Sequence, residues 1–209
     1  MMSERDDERF LEGVRRNAAA PVLAELAKMG LSVGAISELY NEDMDYQRAI
    51  PVLLDWLPRV PNHDVKEELV RAVSVKWAKP QAAPLLVKEF RAVAGETGAG
   101  LRWAIGNALE VVSDVTVLDD LLDIAKNREY GMARQMVVVA LGKLKDPRAI
   151  DTLIGLVGDD DVTGQAVGAL GALRAREALP VLEGLSEHSN SWIRKEAEKA
   201  IAKISQTQG

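Results

Sequence analysis

The residues of this sequence with the most chemistry to offer are two histidines and several clustered carboxylates. His63 and His188 fall in predicted turns, and neither has a second histidine at the spacing of a metal site. The acidic clusters at 42–45, 119–120 and 159–161 lack the Asp-x-Asp-x-Asp-Gly pattern with a later glutamate that binds calcium. Aspartates that begin helices cap free amides and complement the helix dipole, which accounts for the third cluster. We therefore expect no metal and no cofactor.

Catalytic motifs are also missing from the sequence. The chain has no cysteine and hence no thiolate nucleophile, and it has no Gly-x-Ser-x-Gly elbow, phosphate-binding loop or dinucleotide fingerprint. Carboxylates are abundant, but no spacing selects a pair for acid–base catalysis. The helical glycines fit close helix packing better than phosphate binding, at a cost of about 1 kcal/mol each relative to alanine. These glycines are Gly142, Gly164, Gly168 and Gly171. We expect a protein that is not an enzyme.

Composition indicates a folded helical protein. The 209 residues are 47% hydrophobic and 28% charged but only 4% aromatic, with a net charge of −6. Abundant Ala, Leu and Val with few aromatics favour packed helices over a β-sandwich. The negative charge disfavours non-specific binding to nucleic acid or to an anionic membrane. The first ten residues lack the apolar stretch of a signal peptide, and no apolar run approaches the roughly 18 residues of a membrane span, so we expect a cytoplasmic protein.

An internal repeat organises the chain. A first helix type, such as Ala178–Leu185 (ALPVLEGL), starts at positions 19, 49, 82, 117, 149 and 178, which lie 29 to 35 residues apart. Proline occupies its third position four times, at Pro21, Pro51, Pro84 and Pro180. Proline is tolerated there because the amides of a first turn have no acceptor within the helix.

A second helix type alternates with the first. Its apolar residues fall at the first, fifth, eighth and ninth positions, which share one helical face. The eighth position is always alanine: Ala72, Ala108, Ala140, Ala169 and Ala200. An unvarying small residue in a buried face predicts that another helix approaches closely.

Pairs of helices about 30 residues long, with A-x-P-x-L in the first and [VI]-R-x-x-A-x-x-A-L in the second, resemble HEAT repeats, particularly the short bacterial kind of bilin-lyase-type proteins. The arginine of this pattern is present as Arg102, Arg134 and Arg194, with Lys66 and Thr163 as departures. In such repeats this arginine usually pairs with an aspartate of the preceding turn. Asp64 and Asp161 are the only such aspartates here, so we do not expect a continuous Asp–Arg ladder.

The resemblance implies an all-α fold, a right-handed α-solenoid (α/α superhelix) of about six helix pairs forming a single domain over residues 1–209. We expect an N-terminal capping helix over 1–17, repeats over 18–190, a C-terminal capping helix over 191–204 and a frayed tail over 205–209. The polar faces of the terminal helices suit the ends of a solenoid, which no neighbour covers. Residues 30–47 fit the repeat poorly, and we interpret them as an irregular first repeat. A helix-turn-helix is the alternative there, but its candidate recognition segment has no Lys or Arg for phosphate.

As the resemblance implies, the second helices line a concave face, and their third and seventh positions point towards it. The predicted partner-binding residues are Glu67, Arg71, Arg102, Trp103, Asn107, Arg134, Gln135, Val139, Gly164 and Gly168, with Lys195 and Lys199 at the far end. An apolar centre with a charged rim suits a protein or peptide partner. Alternatively, Trp103 packs into the adjacent repeat or Val139 is covered by its neighbours. Trp56, Trp77 and Trp192 are interpreted as packing residues at repeat junctions.

The function we expect is a non-catalytic scaffold or adaptor that binds a partner protein or peptide on its concave face. A regulatory protein paired with one partner is a special case of this function. Two alternatives come from the resemblance: a bilin-lyase-like protein that handles a tetrapyrrole chromophore, and a nucleic-acid-binding protein similar to HEAT-like DNA glycosylases. The latter depend on a basic concave face, against which the net charge argues.

Overall fold

The computed structural model describes residues 4–95 and 98–206, with side chains from residue 6 onward. All regular structure in these two ranges is helical. The α-helices are α1 Glu4–Lys28, α2 Glu38–Asn41, α3 Ile50–Trp56, α4 His63–Val73, α5 Ala82–Ala92, α6 Ala99–Val112, α7 Leu118–Lys126, α8 Gln135–Leu144, α9 Ile150–Leu156, α10 Thr163–Leu173, α11 Leu179–Glu183 and α12 Ser191–Ser205. None of the described helices is both long and apolar enough to cross a membrane.

The chain divides into two compact units, residues 1–108 (unit 1) and 109–209 (unit 2). The single domain expected over 1–209 stays a prediction. Of the predicted frayed tail, 207–209 lie outside the described residues, and Ser205 is the last residue of α12.

Both predicted helix types are present. Each first helix except α1 and α5 is preceded by a short 3-10 turn that ends at the first position of its column, at Ala49, Val117, Ala149 and Ala178. Pro51 and Pro180 lie in the first turns of α3 and α11, where their missing amides cost no hydrogen bond. In the second helices, all five alanines of the eighth position are at most 4% exposed. The predicted buried face is therefore confirmed.

The start of the chain differs from the prediction. A capping helix ending near Arg16, followed by a separate repeat helix, was wrong: α1 is one helix of 25 residues with Pro21 inside it. Asn17, the residue at the predicted boundary that could cap a helix, lies inside α1, and Ala18, Ala19 and Ala20 follow it. Alanine has the highest helix propensity, so nothing in this stretch ends the helix.

Unit 1 is built around α4. Helices α1, α2 and α3 all pack on α4, and α1 also packs on α3. Val22, Leu26, Leu53 and Leu69 are completely buried there. Because helices this short are marginal in isolation, their burial against each other stabilises them.

Residues 30–47 form an irregular segment held by side chains. Only α2, a single helical turn, and the 3-10 turn Gln47–Ala49 interrupt it. The Tyr46 hydroxyl donates a hydrogen bond to the Ala72 carbonyl at 3.0 Å, and its ring meets Trp77 edge-on with centroids 5.0 Å apart. The predicted irregular repeat is confirmed, and the segment contains no recognition helix for a helix-turn-helix.

Unit 2 is more regular. The second helices α8, α10 and α12 pack in a row, α10 also contacts α9, and α12 contacts α11. A Cβ atom added to Gly142 would lie 2.7 Å from the Ala169 Cα, and one added to Gly171 would lie 2.9 Å from the Ala200 Cα. These glycines therefore permit the close helix approach that the sequence predicts. Gly168 has nothing within 4 Å of such an added atom.

Arg134 forms the most extensive polar network of unit 2. Its side chain is 0% exposed, and its Nη atoms donate to both carboxylate oxygens of Asp159 at 3.0 and 3.3 Å. It also donates to the Ala125 and Gly131 carbonyls at 3.0 Å and to Asp161 at 3.4 Å. The Arg134 guanidinium holds the pKa of the Asp159 carboxyl below its ordinary value, mainly through these hydrogen bonds and against the opposing effect of burial.

Arg134 was therefore predicted wrongly as a partner-binding residue. A completely buried guanidinium cannot contact a partner, and the hydrogen bonds described above all lie within unit 2. The turn before α8 has no aspartate, as the sequence shows, and the aspartates that pair with Arg134 belong to the turn after α9.

Gly142, which lies against α10, and Gly168, which has open space beside it, provide a test of close helix packing. Gly142→Ala should lower the free energy of unfolding by about 1–3 kcal/mol, because the new methyl group would overlap the backbone of α10. Gly168→Ala should raise the free energy of unfolding by up to about 1 kcal/mol, because it only improves helix propensity. Urea denaturation followed by circular dichroism measures both. Equal effects of the two substitutions would contradict the packing described for α8 and α10.

The buried ion pair provides a second test. Asp159→Asn should lower the free energy of unfolding by about 3–5 kcal/mol, because it leaves the buried Arg134 charge with only the half-exposed Asp161 carboxylate as a counter-charge. The exposed neighbour Asp160 offers a matched control. Asp160→Asn should change the free energy of unfolding by no more than about 0.5 kcal/mol.

The ion pair also gives a pH dependence. Since the folded-state pKa of Asp159 is lowered, the unfolded state binds its proton more readily, and the stabilisation is complete above the ordinary pKa. It is lost as the pH falls through the folded-state pKa. The difference in stability between wild type and Asp159→Asn should therefore shrink below about pH 4. Urea titrations from neutral to acidic pH measure this difference, and a constant difference would exclude the ion pair as its source.

Candidate functional site

Trp103, the one aromatic residue among the predicted site residues, lies in a groove on unit 1. Trp103 on α6 is 49% exposed. It lines a cavity of about 300 Å³ together with Tyr40, Arg71, Ser74, Ala104 and Asn107. The Asn107 amide donates a hydrogen bond to the Trp103 carbonyl at 2.9 Å, one helical turn away. Trp103 thus stands on the surface of a helix rather than in the core.

The groove continues past this cavity. A second cavity of about 250 Å³ shares Tyr40 and Arg71 with the first, and a third of about 260 Å³ shares Arg15 and Glu68 with the second. Helices α1, α2, α4 and α6 supply the walls. We refer to the three cavities together as the unit 1 groove. Its main polar and aromatic residues are Arg15, Tyr40, Asp64, Glu67, Glu68, Arg71, Trp103 and Asn107.

Two arginines of the groove are paired with carboxylates. Arg71 donates from Nε and Nη2 to one Glu67 oxygen at 3.1 and 2.7 Å, one turn away on α4. Arg15 of α1 contacts the buried Glu68 carboxylate of α4. These hydrogen bonds raise the pKa of each guanidinium, so both side chains stay charged. Along the groove, ion pairs alternate with aromatic rings.

Tyr40 lies between the two ion pairs. Burial raises the pKa of its phenol, and the negative charge of Glu68 raises it further. The neutral hydroxyl can donate or accept a hydrogen bond in the groove. Together with Trp103 and Asn107, it gives the groove an amphipathic lining suited to binding.

The two histidines and the three acidic clusters of the sequence lie outside the unit 1 groove. No group of His, Cys, Asp and Glu among the described residues could hold a metal ion. His188 accepts a hydrogen bond on Nδ1 from the Asn190 amide at 3.1 Å, within a turn. His63 is the exposed first residue of α4. Both histidines therefore occupy the local positions expected of surface residues.

Four of the predicted partner-binding residues come together in the unit 1 groove: Glu67, Arg71, Trp103 and Asn107. Arg102 does not line it. The Arg102 guanidinium donates to the Phe90 carbonyl at 3.4 Å and contacts the Val93 carbonyl, which ties α6 to the end of α5. Its predicted role in orienting a partner therefore stays a prediction outside the unit 1 groove.

The predicted residues of unit 2 form a less open surface. The Gln135 amide donates to the Asp161 carbonyl at 2.8 Å, and Val139 is partly buried. Gly164 is buried, and the Trp192 ring covers it so closely that a side chain there would overlap the ring. The prediction that Gly164 is a partner-binding residue was therefore wrong. The predicted packing role of Trp192 is consistent with this contact, although its ring remains 49% exposed.

Sequence reasoning missed Arg15, Tyr40 and Glu68. Tyr40 belongs to the irregular segment, where no repeat column assigns it a direction. Arg15 was placed in a separate capping helix, whereas α1 continues into the packed part of unit 1 and carries Arg15 to α4. The signal available was an aromatic residue directly after the buried Leu39 in an otherwise polar stretch.

Comparison with known proteins supports the repeat interpretation. The family model of HEAT repeats matches residues 88–164, which run from the last residues of α5 to the start of α10. The curated proteins contain no match to this chain. The matched segment includes the alanines of the eighth position at Ala108 and Ala140 and the buried Arg134. Residues 88–164 of the chain are therefore similar to HEAT repeats.

Proposed function

We propose that the chain is a non-catalytic scaffold or adaptor that binds a partner protein or peptide in the unit 1 groove. The observation that carries this proposal is the half-exposed Trp103 beside Tyr40 and Arg71 in one cavity. Tryptophan, tyrosine and arginine dominate the binding energy of protein interfaces. HEAT repeats commonly serve as protein-interaction scaffolds, which agrees with this function.

The groove is well prepared for a protein ligand. Trp103 offers a large contact area with only two side-chain torsions to fix, so ordering it on binding costs little entropy. The Glu67–Arg71 ion pair is already formed, which leaves it preorganised to orient a partner by charge. Partner affinity would come from the aromatic rings and orientation from the ion pairs.

The same ion pairs argue against nucleic acid as the partner. A phosphate that bound Arg15 or Arg71 would compete with Glu68 or Glu67 for the guanidinium. Phosphate contacts supply most of the affinity of nucleic-acid binders. Binding of a tetrapyrrole stays a hypothesis from the resemblance, and the cytoplasmic location stays a prediction from the amino-acid sequence.

We also propose the right-handed solenoid that the resemblance implies. The row of α8, α10 and α12 in unit 2 supports it, because stacked helix pairs of a repeat protein contact mainly their neighbours.

The proposed function predicts that one tryptophan matters and another does not. Tagged wild-type protein, Trp103→Ala and Trp192→Ala would each be incubated with extract of the native host, and captured proteins identified by mass spectrometry. Trp103→Ala should reduce capture of the specific partner at least about tenfold, the loss expected for an interface hot spot. Trp192→Ala serves as the matched control because its ring has the same exposed fraction but lies outside the groove.

Thermal unfolding followed by circular dichroism accompanies the capture. Trp103→Ala should leave the melting temperature nearly unchanged, since half of the ring is exposed in the free protein. If Trp103→Ala unfolds the protein, Trp103 is a core residue. If it folds and captures the partner as well as wild type does, the groove is not the binding site.

A further inference from the structure

The charged side chains of the unit 1 groove pair with each other, with one exception. Among the described residues, three arginines and four carboxylates line the groove. The ion pairs are Arg15–Glu68, Arg16–Glu12 and Arg71–Glu67. The fourth carboxylate is Asp64, and no side chain that the structure describes forms a hydrogen bond or an ion pair with it. The groove therefore has one negative charge without a counter-charge, whereas each of its positive charges has one.

The α4 helix does not use the Asp64 side chain as a cap. Asp64 is an exposed residue of the first turn of α4, but the Asn62 side chain caps this helix by accepting from the Val65 amide at 3.0 Å. The hydrogen bond to Glu68 is the main cause of the raised pKa of Arg15, and the nearby charge of Asp64 adds to the shift. Asp64 thus contributes its negative charge to the groove and is accessible to a ligand.

An acidic and a basic side chain would meet this groove differently. An acidic side chain reaches an arginine only by competing with the carboxylate that is already paired with it. A basic side chain finds Asp64 without a competing cation. It also finds the second oxygen of Glu67, because both hydrogen bonds from Arg71 go to Oε1. Complementary charge therefore favours a partner that is positively charged at this point.

The adjoining cavity suits the rest of a peptide. It shares Tyr40 and Arg71 with the cavity that contains Asp64, so one ligand can occupy both. The half-exposed ring of Trp103 can pack against an apolar side chain of the ligand. The Asn107 amide uses one N–H on the Trp103 carbonyl. Its second N–H and its oxygen can bind a peptide group.

We propose that the partner presents a basic peptide segment to the unit 1 groove. A lysine or arginine of this segment lies against Asp64 and Glu67, and a neighbouring apolar side chain covers Trp103. This inference rests on the proposed function and adds the chemistry of the partner to it. The positive charge selects the segment, and the contact with the Trp103 ring supplies most of the affinity.

Three labelled octapeptides, in which leucine alternates with lysine, serine or glutamate, test the inference. Fluorescence anisotropy with the full chain measures the dissociation constant of each peptide. The lysine peptide should bind at least about tenfold more tightly than the glutamate peptide, with the serine peptide between them. Trp103→Ala should weaken the binding of all three, because their leucines lose the contact with the ring.

Two aspartate variants separate the groove from the net charge of the protein. Asp64→Asn and Asp160→Asn each remove one negative charge from an exposed side chain. Asp64→Asn should raise the dissociation constant of the lysine peptide about threefold, as expected for an exposed ion pair, and leave that of the serine peptide unchanged. Asp160→Asn, in unit 2, should change neither. Asp64→Lys should reverse the preference, so that the glutamate peptide binds more tightly than the lysine peptide.

Circular dichroism should show unchanged helical content for each variant, because the substituted aspartates are exposed. Equal binding of the three peptides to wild type, or tighter binding of the glutamate peptide, overturns the basic segment. If Trp103→Ala still weakens that binding, the proposed function stands. Equal effects of Asp64→Asn and Asp160→Asn would show that only net charge attracts the lysine peptide, and this result also overturns the inference.

A groove that binds none of the peptides at concentrations up to about 1 mM excludes the basic segment as well. The capture experiment with wild type and Trp103→Ala then decides separately whether the groove binds another kind of partner.

Discussion

The burial of one positive charge constrains much of unit 2. Removing a guanidinium from water costs several kcal/mol unless its donors are satisfied, and Arg134 is completely buried. Its partners come from the last turn of α7, the segment before α8 and the turn after α9. These three segments must therefore hold their positions together. Gly131 contributes through its backbone: its φ of 50° and ψ of −139° belong to a region that is essentially restricted to glycine, and its carbonyl accepts from Arg134.

The residue at the second position of the other second helices also bonds to a neighbouring segment, but its acceptors differ. Lys66 forms an ion pair with Glu89 of α5 at 2.7 Å, as Arg134 does with Asp159. Arg102 and Arg194 have backbone carbonyls of the preceding segment as acceptors instead. The second position of the repeat thus connects each second helix to an adjoining segment, through a carboxylate where one is available and through carbonyls elsewhere.

The second helices of the two units carry residues of different size on the predicted concave face. In unit 2, neighbouring residues occupy the space beside the small residues. Gly142 and Gly171 contact alanines, and Gly164 contacts Trp192. In unit 1, the corresponding surface carries larger residues, and Tyr40, Arg71 and Trp103 line a groove that stays open. A glycine in a predicted concave strip therefore indicates a close neighbour at least as often as it indicates space for a ligand.

The repeating columns by themselves determined the helices and their buried faces. The alanines of the eighth position and the prolines of α3 and α11 lie where the periodicity places them, because helix period and chain stiffness are local properties. The sequence also identified Trp103, Arg71, Glu67 and Asn107, which share one helical face or one groove. Which polar residues were available to a partner was decided only by tertiary structure. Arg134 and Arg102 occupy the second position of a repeat, and an exposed arginine there would look the same in the sequence. Their burial and their acceptors depend on other segments of the chain. Tyr40 and Arg15 reached the groove through an irregular segment and an unbroken α1, whose paths are set by packing against α4 rather than by any repeat.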